Sequence, residues 1–301
     1  QRYFFFIKRK VLILILVSFS LISLVSFHWK PLLYKMSSSI WKNNNTDLFR
    51  NDNFLFFEDG KISTVAVIES KKNLYLLNNG KTDASLGLES ATPDEPTQIL
   101  LSLIPLAIHG QAKKAAVIGF GSGQSSHVLL SDLNLESVET IEIEKKVVTG
   151  AKHFLPYNKN VYDDKRSMII IDDAKSYFSR HKKKYDLIIS EPSEPWVRGI
   201  ANLFTTEFYH HIKKSLRPGG ILGQWVHLYQ SNPQIISSIL KTIKANFNHF
   251  IIYKITANNL LIIISNQHNS FRPKINLFKN INLKKALHRI NIYNMKSFFF
   301  S

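Results

Sequence analysis

Cysteine is absent from the 301 residues. That excludes disulfides, thiolate nucleophiles and cysteine-ligated metals, while leaving the compartment open. Acid is absent from one end: residues 231–301 carry ten Lys/Arg and no Asp or Glu. Residues 1–50 hold eight basic residues and one acid, and residues 51–230 hold 21 of each sign. The net charge of +17 therefore sits wholly in the flanks. A balanced middle argues against a nucleic-acid channel through the core, so no nucleic-acid partner is expected, although a basic tail touching anionic lipid or RNA stays open. No His and acid spacing suggests a metal site, and no internal repeat is visible.

One long hydrophobic run is present. Val11 to Phe27 is uncharged over 17 residues and follows Lys8-Arg9-Lys10. Its length meets the lower limit of ~17–25 residues for a membrane span. A signal peptide competes, but no small-x-small cleavage site ends the run. The run reads as a transmembrane helix, with residues 1–30 as span and basic flank. Basic residues lie on both sides, so charge does not fix its orientation. The start at Gln1 instead of Met leads to the expectation of a piece of a longer chain.

Residues 31–53 read as a polar linker. Phe54–Phe57, Ser63–Glu69 and Leu74–Leu77 read as strands of a small antiparallel unit, with turns at Asp59-Gly60 and Asn78-Asn79-Gly80. Pro96 to Ile108 has helical spacing, which completes a unit over 54–110. From 111 to 265 short β-branched runs alternate with helical patterns. Strands are expected at Ala115–Phe120, Val138–Ile143, Met168–Ile171, Leu187–Ser190 and Ile221–Trp225, and an antiparallel pair at Phe250–Ile255 and Leu260–Ile264. Such alternation implies an α/β fold, a mainly parallel sheet with helices on both faces. Residues 266–301 lack periodicity and read as a basic, poorly ordered or truncated tail.

The chemistry gathers at strand ends. Gly119-Phe120-Gly121-Ser122-Gly123 follows the first strand of the alternation, where glycines let a ligand approach backbone closely. Glu142 ends the second strand, about 20 residues on, where nucleoside cofactors meet an acid for the ribose hydroxyls. Asp172-Asp173 ends the third. The fourth, Leu187 to Ser190, runs into Glu191-Pro192-Ser193-Glu194-Pro195-Trp196. Two prolines stop the ladder there, so a stiff loop carries two acids and an indole, a set that suits a cation. A solvated acidic turn with a packing Trp is the bland alternative.

This order resembles the spermidine/spermine synthase family, on a methyltransferase-type Rossmann fold, from about Phe56 to Tyr229. The likeness takes in Asn79-Gly80-Lys81-Thr82-Asp83, Gln98, Ile104-Pro105-Leu106, Glu142, Asp173, the Tyr185–Pro195 loop and Glu207-Phe208-Tyr209. Ser190-Glu191-Pro192-Ser193 with Pro195-Trp196 and Gln224-Trp225 is closest to a membrane-fused bacterial branch. The resemblance implies transfer of an aminopropyl group from decarboxylated S-adenosylmethionine to a diamine such as putrescine, without a metal. It assigns the cofactor turn to Gly119, Gly121, Ser122 and Gly123, the ribose to Glu142 and the adenine amino group to Asp173, with Gln98 beside them. It makes Glu191 the acceptor of the nucleophile's proton and Glu194 an anchor of the amine chain, with Trp196, Asp83 and Tyr229 at the amine. It further implies a membrane-anchored enzyme facing the cytoplasm, and leaves room for a homodimer.

Three departures stand out. Ser122 replaces an acid of the family's glycine turn, Thr97 replaces a tyrosine, and Glu191 replaces an aspartate. Ser122 motivates a rival reading, a methyltransferase using intact S-adenosylmethionine. A second rival is a non-catalytic nucleoside- or polyamine-sensing domain. His227 could accept a proton, though a core or rim histidine is commoner, and Trp225 could wall the amine or pack in the last strand.

Overall fold

β-branched runs bounded by turns form the strands, and the apolar stripes between them form the helices. The computed structural model describes residues 2–27, 33, 35–38, 49–192, 199–229, 231–267 and 271–300. A first sheet has the order β1-β2-β3-β4, all antiparallel, from Asn53–Asp59, Thr64–Ser70, Asn73–Asn78 and Lys81–Gly87. The last strand was not expected. Asn79 and Gly80 at φ 47° and 76° make a two-residue hairpin that pairs Asn78 with Lys81. Charged Lys81 and Asp83, together with a bulge at Leu76/Leu77, blur the alternation that would have marked it.

The second sheet has seven strands. They are β5 (Lys114–Ile118), β6 (Ser137–Glu142), β7 (Ser167–Ile171), β8 (Tyr185–Ser190), β9 (Leu216–His227), β10 (His249–Thr256) and β11 (Asn259–Ser265), in the order β10-β11-β9-β8-β5-β6-β7. Pairings from β7 to β9 are parallel, and β11 is antiparallel to both its neighbours. One face buries α2 (Glu95–His109) and α3 (Gln124–Leu130) in a core with Leu187 and Ile189. The other buries α6 (Ala174–Arg180), α7 (Thr206–Ser215) and α8 (Pro233–Asn246) against Ile188 and Leu222. The small sheet packs through Val67 and Leu76 on Val147 of α4 (Lys145–Gly150) and on Phe154, roofing the carboxyl end of β6. A short α5 (Lys159–Asp163) follows.

At the end of the chain, where a poorly ordered or truncated tail was expected, the described residues form further elements. Residues 277–279 form a 3-10 turn, Ile281–Arg289 forms α9 and Met295–Phe300 forms α10. Asn280 caps α9 by accepting from the backbone N–H of Asn282 and Leu283 at 2.9 and 3.3 Å. Leu283 and Leu287, one turn apart, enter the core beside α2.

The start of the chain corrects a second expectation. Arg2–Phe27 is one helix, α1, but among the described residues no helix is long and apolar enough to cross a membrane. The transmembrane span at 11–27, the membrane partner and the membrane-anchored, cytoplasm-facing localisation are accordingly withdrawn. The apolar part of α1 begins after Lys10. Serines break that stretch, and Ser23 turns its hydroxyl back to the Phe19 carbonyl at 2.8 Å.

Candidate active site

After β5 the chain builds β6 and β7 on one side and β8 and β9 on the other. The carboxyl ends of β5 and β8 thus part at a topological switch point, where open α/β sheets bind ligands. Gly119 leaves β5 at φ 95°, and a Cβ there would stand 3.6 Å from the Glu191 Cβ. Glycine lets the turn take that left-handed conformation against the acid. Gly123, at φ 81°, starts α3 with the Phe120 ring and Val161 so close that a Cβ would stand 3.0–3.3 Å from them.

A cavity of about 250 Å³ opens at this point. Gly119, Gly121, Glu142 and Glu191 line it from the sheet edge. Asp83 of β4 and Gln98 of α2 line it from the roof, and Tyr229, just past β9, lines it from the far side. Ser122 and Gly123 are outside this lining; Ser122 is buried in the turn and its hydroxyl donates to Gln98 Oε1. Asp173 is also outside it. Its carboxylate caps α6, accepting from the Ser176 N–H at 2.7 Å. Glu194 and Trp196 lie outside the described residues.

Two acids of the cavity hold protons unusually tightly. Burial pushes Glu142 up to about 7. The N–H groups of Glu144 and Phe120, donating at 2.8 and 2.9 Å, pull the other way, and the charge of Asp83 adds to the rise. Burial pushes Glu191 up to about 8, against only a Ser125 hydroxyl. Its Oε1 is buried and has no hydrogen-bond partner among the described residues. Such an oxygen is costly to leave unmatched, and a bound N–H would match it.

Several lining residues were missed or left undecided. Lys81, 6% exposed, pairs with Asp83 at 2.8 Å, while Asn78 donates to the same carboxylate at 2.5 Å. Asp94 and Thr97 line the cavity from the start of α2. Recognising β4 behind the Asn-Gly turn would have placed Lys81 beside Asp83, which the resemblance already set at the amine. Trp225 lines the far side and donates to Asn259 Oδ1 at 3.0 Å. Asn259 carried no local signal, because only the β9–β11 register, pairing it with His227, brings it there. His227, 1% exposed, stacks on Tyr229 at 4.2 Å and is not part of the lining. A wider groove of about 540 Å³ along α8 is lined by residues such as Ile236, Leu240 and Lys241 and has no acid in its wall.

Among curated proteins, the polyamine aminopropyltransferases of Shigella flexneri serotype 5b (strain 8401) and Escherichia coli (strain K12 / DH10B) are each 36% identical over 123 residues. The match covers 40% of this chain and 42% of theirs, so the chain spans about two fifths of the length of these relatives. A solved spermidine synthase in complex with the transition state analogue AdoDATO superposes with TM-score 0.64 at 19% identity, covering 71% of this chain and 74% of that one. Spermidine synthase from Thermotoga maritima gives TM-score 0.62 at 19% identity, covering 71% and 73%. At that identity the superpositions establish the shared Rossmann-like fold. The sequence pattern of the Spermine/spermidine synthase domain matches residues 96–272, which is more than half of the chain and spans the glycine turn, Glu142 and Glu191. The chain belongs to the spermine/spermidine synthase domain family.

Proposed function

We propose that this protein is an aminopropyltransferase of polyamine biosynthesis, moving an aminopropyl group from decarboxylated S-adenosylmethionine to a diamine such as putrescine. The observation that carries the reading is Glu191: a buried carboxyl oxygen, without a partner among the described residues, in the cavity that Glu142 and the glycine turn also line. In this reading Glu142 takes the ribose hydroxyls, and Asp173, farther along the same sheet edge, takes the adenine amino group. Gln98, Asp83 and Tyr229, with Glu194 and Trp196, border the two aliphatic chains.

The chemistry requires acids here. An alkyl amine has a pKa near ~10.4 and arrives protonated. The arriving cation favours the charged form of Glu191, which releases its proton to solvent; the resulting carboxylate holds the ammonium and then accepts its proton. The freed nitrogen lone pair attacks the carbon beside the sulfonium; a C–N bond forms, and the C–S pair leaves with sulfur as a neutral thioether. A cavity that excludes water strengthens each of these attractions, and alignment of the two substrates supplies much of the remaining acceleration.

The purified chain incubated with decarboxylated S-adenosylmethionine and putrescine should give spermidine and methylthioadenosine by mass spectrometry. Methylated product from intact S-adenosylmethionine would replace this reading with the methyltransferase one. Binding of either without turnover would leave a sensing domain.

A further inference from the structure

Asp94 and Gln98 reach the cavity from the first turn of α2, just after the loop 88–94 that joins it to β4. That loop is held from an unexpected side. Glu95, 0% exposed, accepts the backbone N–H of Gly87 and of Thr92 on Oε1, each at 2.9 Å, which ties both ends of the loop to one carboxylate. Arg289, from the end of α9 and 194 residues later, supplies the counter-charge. Its Nε donates to Glu95 Oε2, and its Nη2 donates to Glu95 Oε1 at 3.0 Å and to the Gly87 carbonyl. The guanidinium lies 5.1 Å over the Tyr157 ring, and Tyr157 donates its hydroxyl to the Leu88 carbonyl at 3.1 Å.

The contacts continue inward. The Thr92 hydroxyl is 3.0 Å from that of Ser85, which donates to Asp94 at 2.5 Å. The Ser85 carbonyl accepts from Gln98 Nε2 at 3.3 Å. Gln98 in turn accepts from Ser122 at its side chain and from Ser125 at its carbonyl. A hydrogen-bonded path thus runs from α9 through Glu95 and the 88–94 loop to Gln98 on the cavity wall. An arginine fork fits this place because it reaches both carboxylate oxygens and a carbonyl at once, which a lysine does not.

We infer that Arg289 is a positioning residue for the cavity: through Glu95 it fixes the β4–α2 loop and so sets Asp94 and Gln98 against the amine-bearing ligand. The reaction readout rests on the aminopropyl reading, whereas the loop readout does not. The test uses the full chain with Arg289→Met, which keeps the stem and loses the fork, and Arg289→Lys, which keeps the charge. Arg289→Met should raise KM for putrescine about tenfold or more with kcat within ~3-fold, and Arg289→Lys should recover part of that loss. Amide exchange at Gly87 and Thr92 should accelerate about tenfold or more in Arg289→Met, with Ile188 of β8 unchanged. A fall in kcat at constant KM, as from a smaller folded fraction, would overturn the inference. So would unchanged exchange at Gly87 and Thr92. Should the wild-type chain turn over nothing, the aminopropyl reading fails and the exchange result alone judges the clamp.

Discussion

Two carboxylates, Glu139 within β6 and Glu191 just past β8, meet opposite fates. Glu139, in β6 beside Ala116 of β5, is 8% exposed and fully engaged. Tyr177 and Tyr185 donate to its Oε2 at 2.6 and 2.7 Å, and Lys183 to its Oε1 at 2.9 Å. Burial works to raise it, but these hydrogen bonds and the Lys183 charge outweigh burial and hold it below the usual carboxylate range. Glu191, at the carboxyl end of β8, has burial without that compensation and rises to about 8. A carboxylate inside the scaffold is matched on every side, whereas one at the cavity keeps an acceptor open. The difference separates a structural acid from one prepared for a ligand.

The contrast can be broken deliberately. Glu191→Gln should lower turnover by ~10²–10⁴-fold, the usual contribution of a general base, while S-adenosylmethionine binding measured by calorimetry stays within about threefold. Wild-type turnover in that variant would remove Glu191 from the proton-accepting role. Glu139→Leu should do the reverse. It strands two buried hydroxyls and a lysine, and the urea midpoint should report a loss of roughly 3 kcal/mol, with turnover per folded molecule nearly unchanged. Equal damage to turnover would erase the distinction between the two acids.

A smaller effect should appear in stability against pH. Because Glu191 is raised in the folded chain, the native state binds more protons than the unfolded one between about 4.5 and 8. Its contribution to ligand-free stability is therefore full below the ordinary value and fades as pH rises through about 8. Glu142, raised to about 7, acts in the same direction. The melting temperature of the ligand-free protein should fall from pH 5 to 8.5, and Glu191→Gln should flatten that slope. The smallest effect is expected for Trp225→Phe, which loses the hydrogen bond to Asn259 but keeps a ring. KM for putrescine should rise about two- to fivefold with kcat unchanged.

Much of the frame could be read from local pattern. The order glycine turn, Glu142, Asp172-Asp173, Glu191 follows from strand ends alone, and three of its four members meet at or beside one cavity. The fourth lies outside the cavity lining, and an aspartate between strand and helix is also the preferred N-cap, which Asp173 is for α6, so its strand-end position alone does not separate cap from ligand contact. β4 was hidden because its alternation carries Lys81 and Asp83 on a roof that faces a ligand cavity instead of a dry core. The last helices were hidden because their signal is a two-leucine stripe behind an asparagine cap, diluted by lysines. Arg289 and Asn259 had no local mark at all, as contacts across 194 residues and across an antiparallel register arise only from the fold. The apolar run at 11–27 misled through composition: helix formation was legible there, membrane crossing was not.

The most direct test is a carbon-13 titration of the Glu191 carboxyl in the ligand-free protein, repeated with putrescine and an adenosyl ligand bound. The account predicts a midpoint near 8 in the empty cavity and a fall of about a unit or more once the cations arrive. A midpoint in the ordinary carboxylate range in both states would mean that Glu191 is a solvated acid, and the proton-accepting role would fall with it.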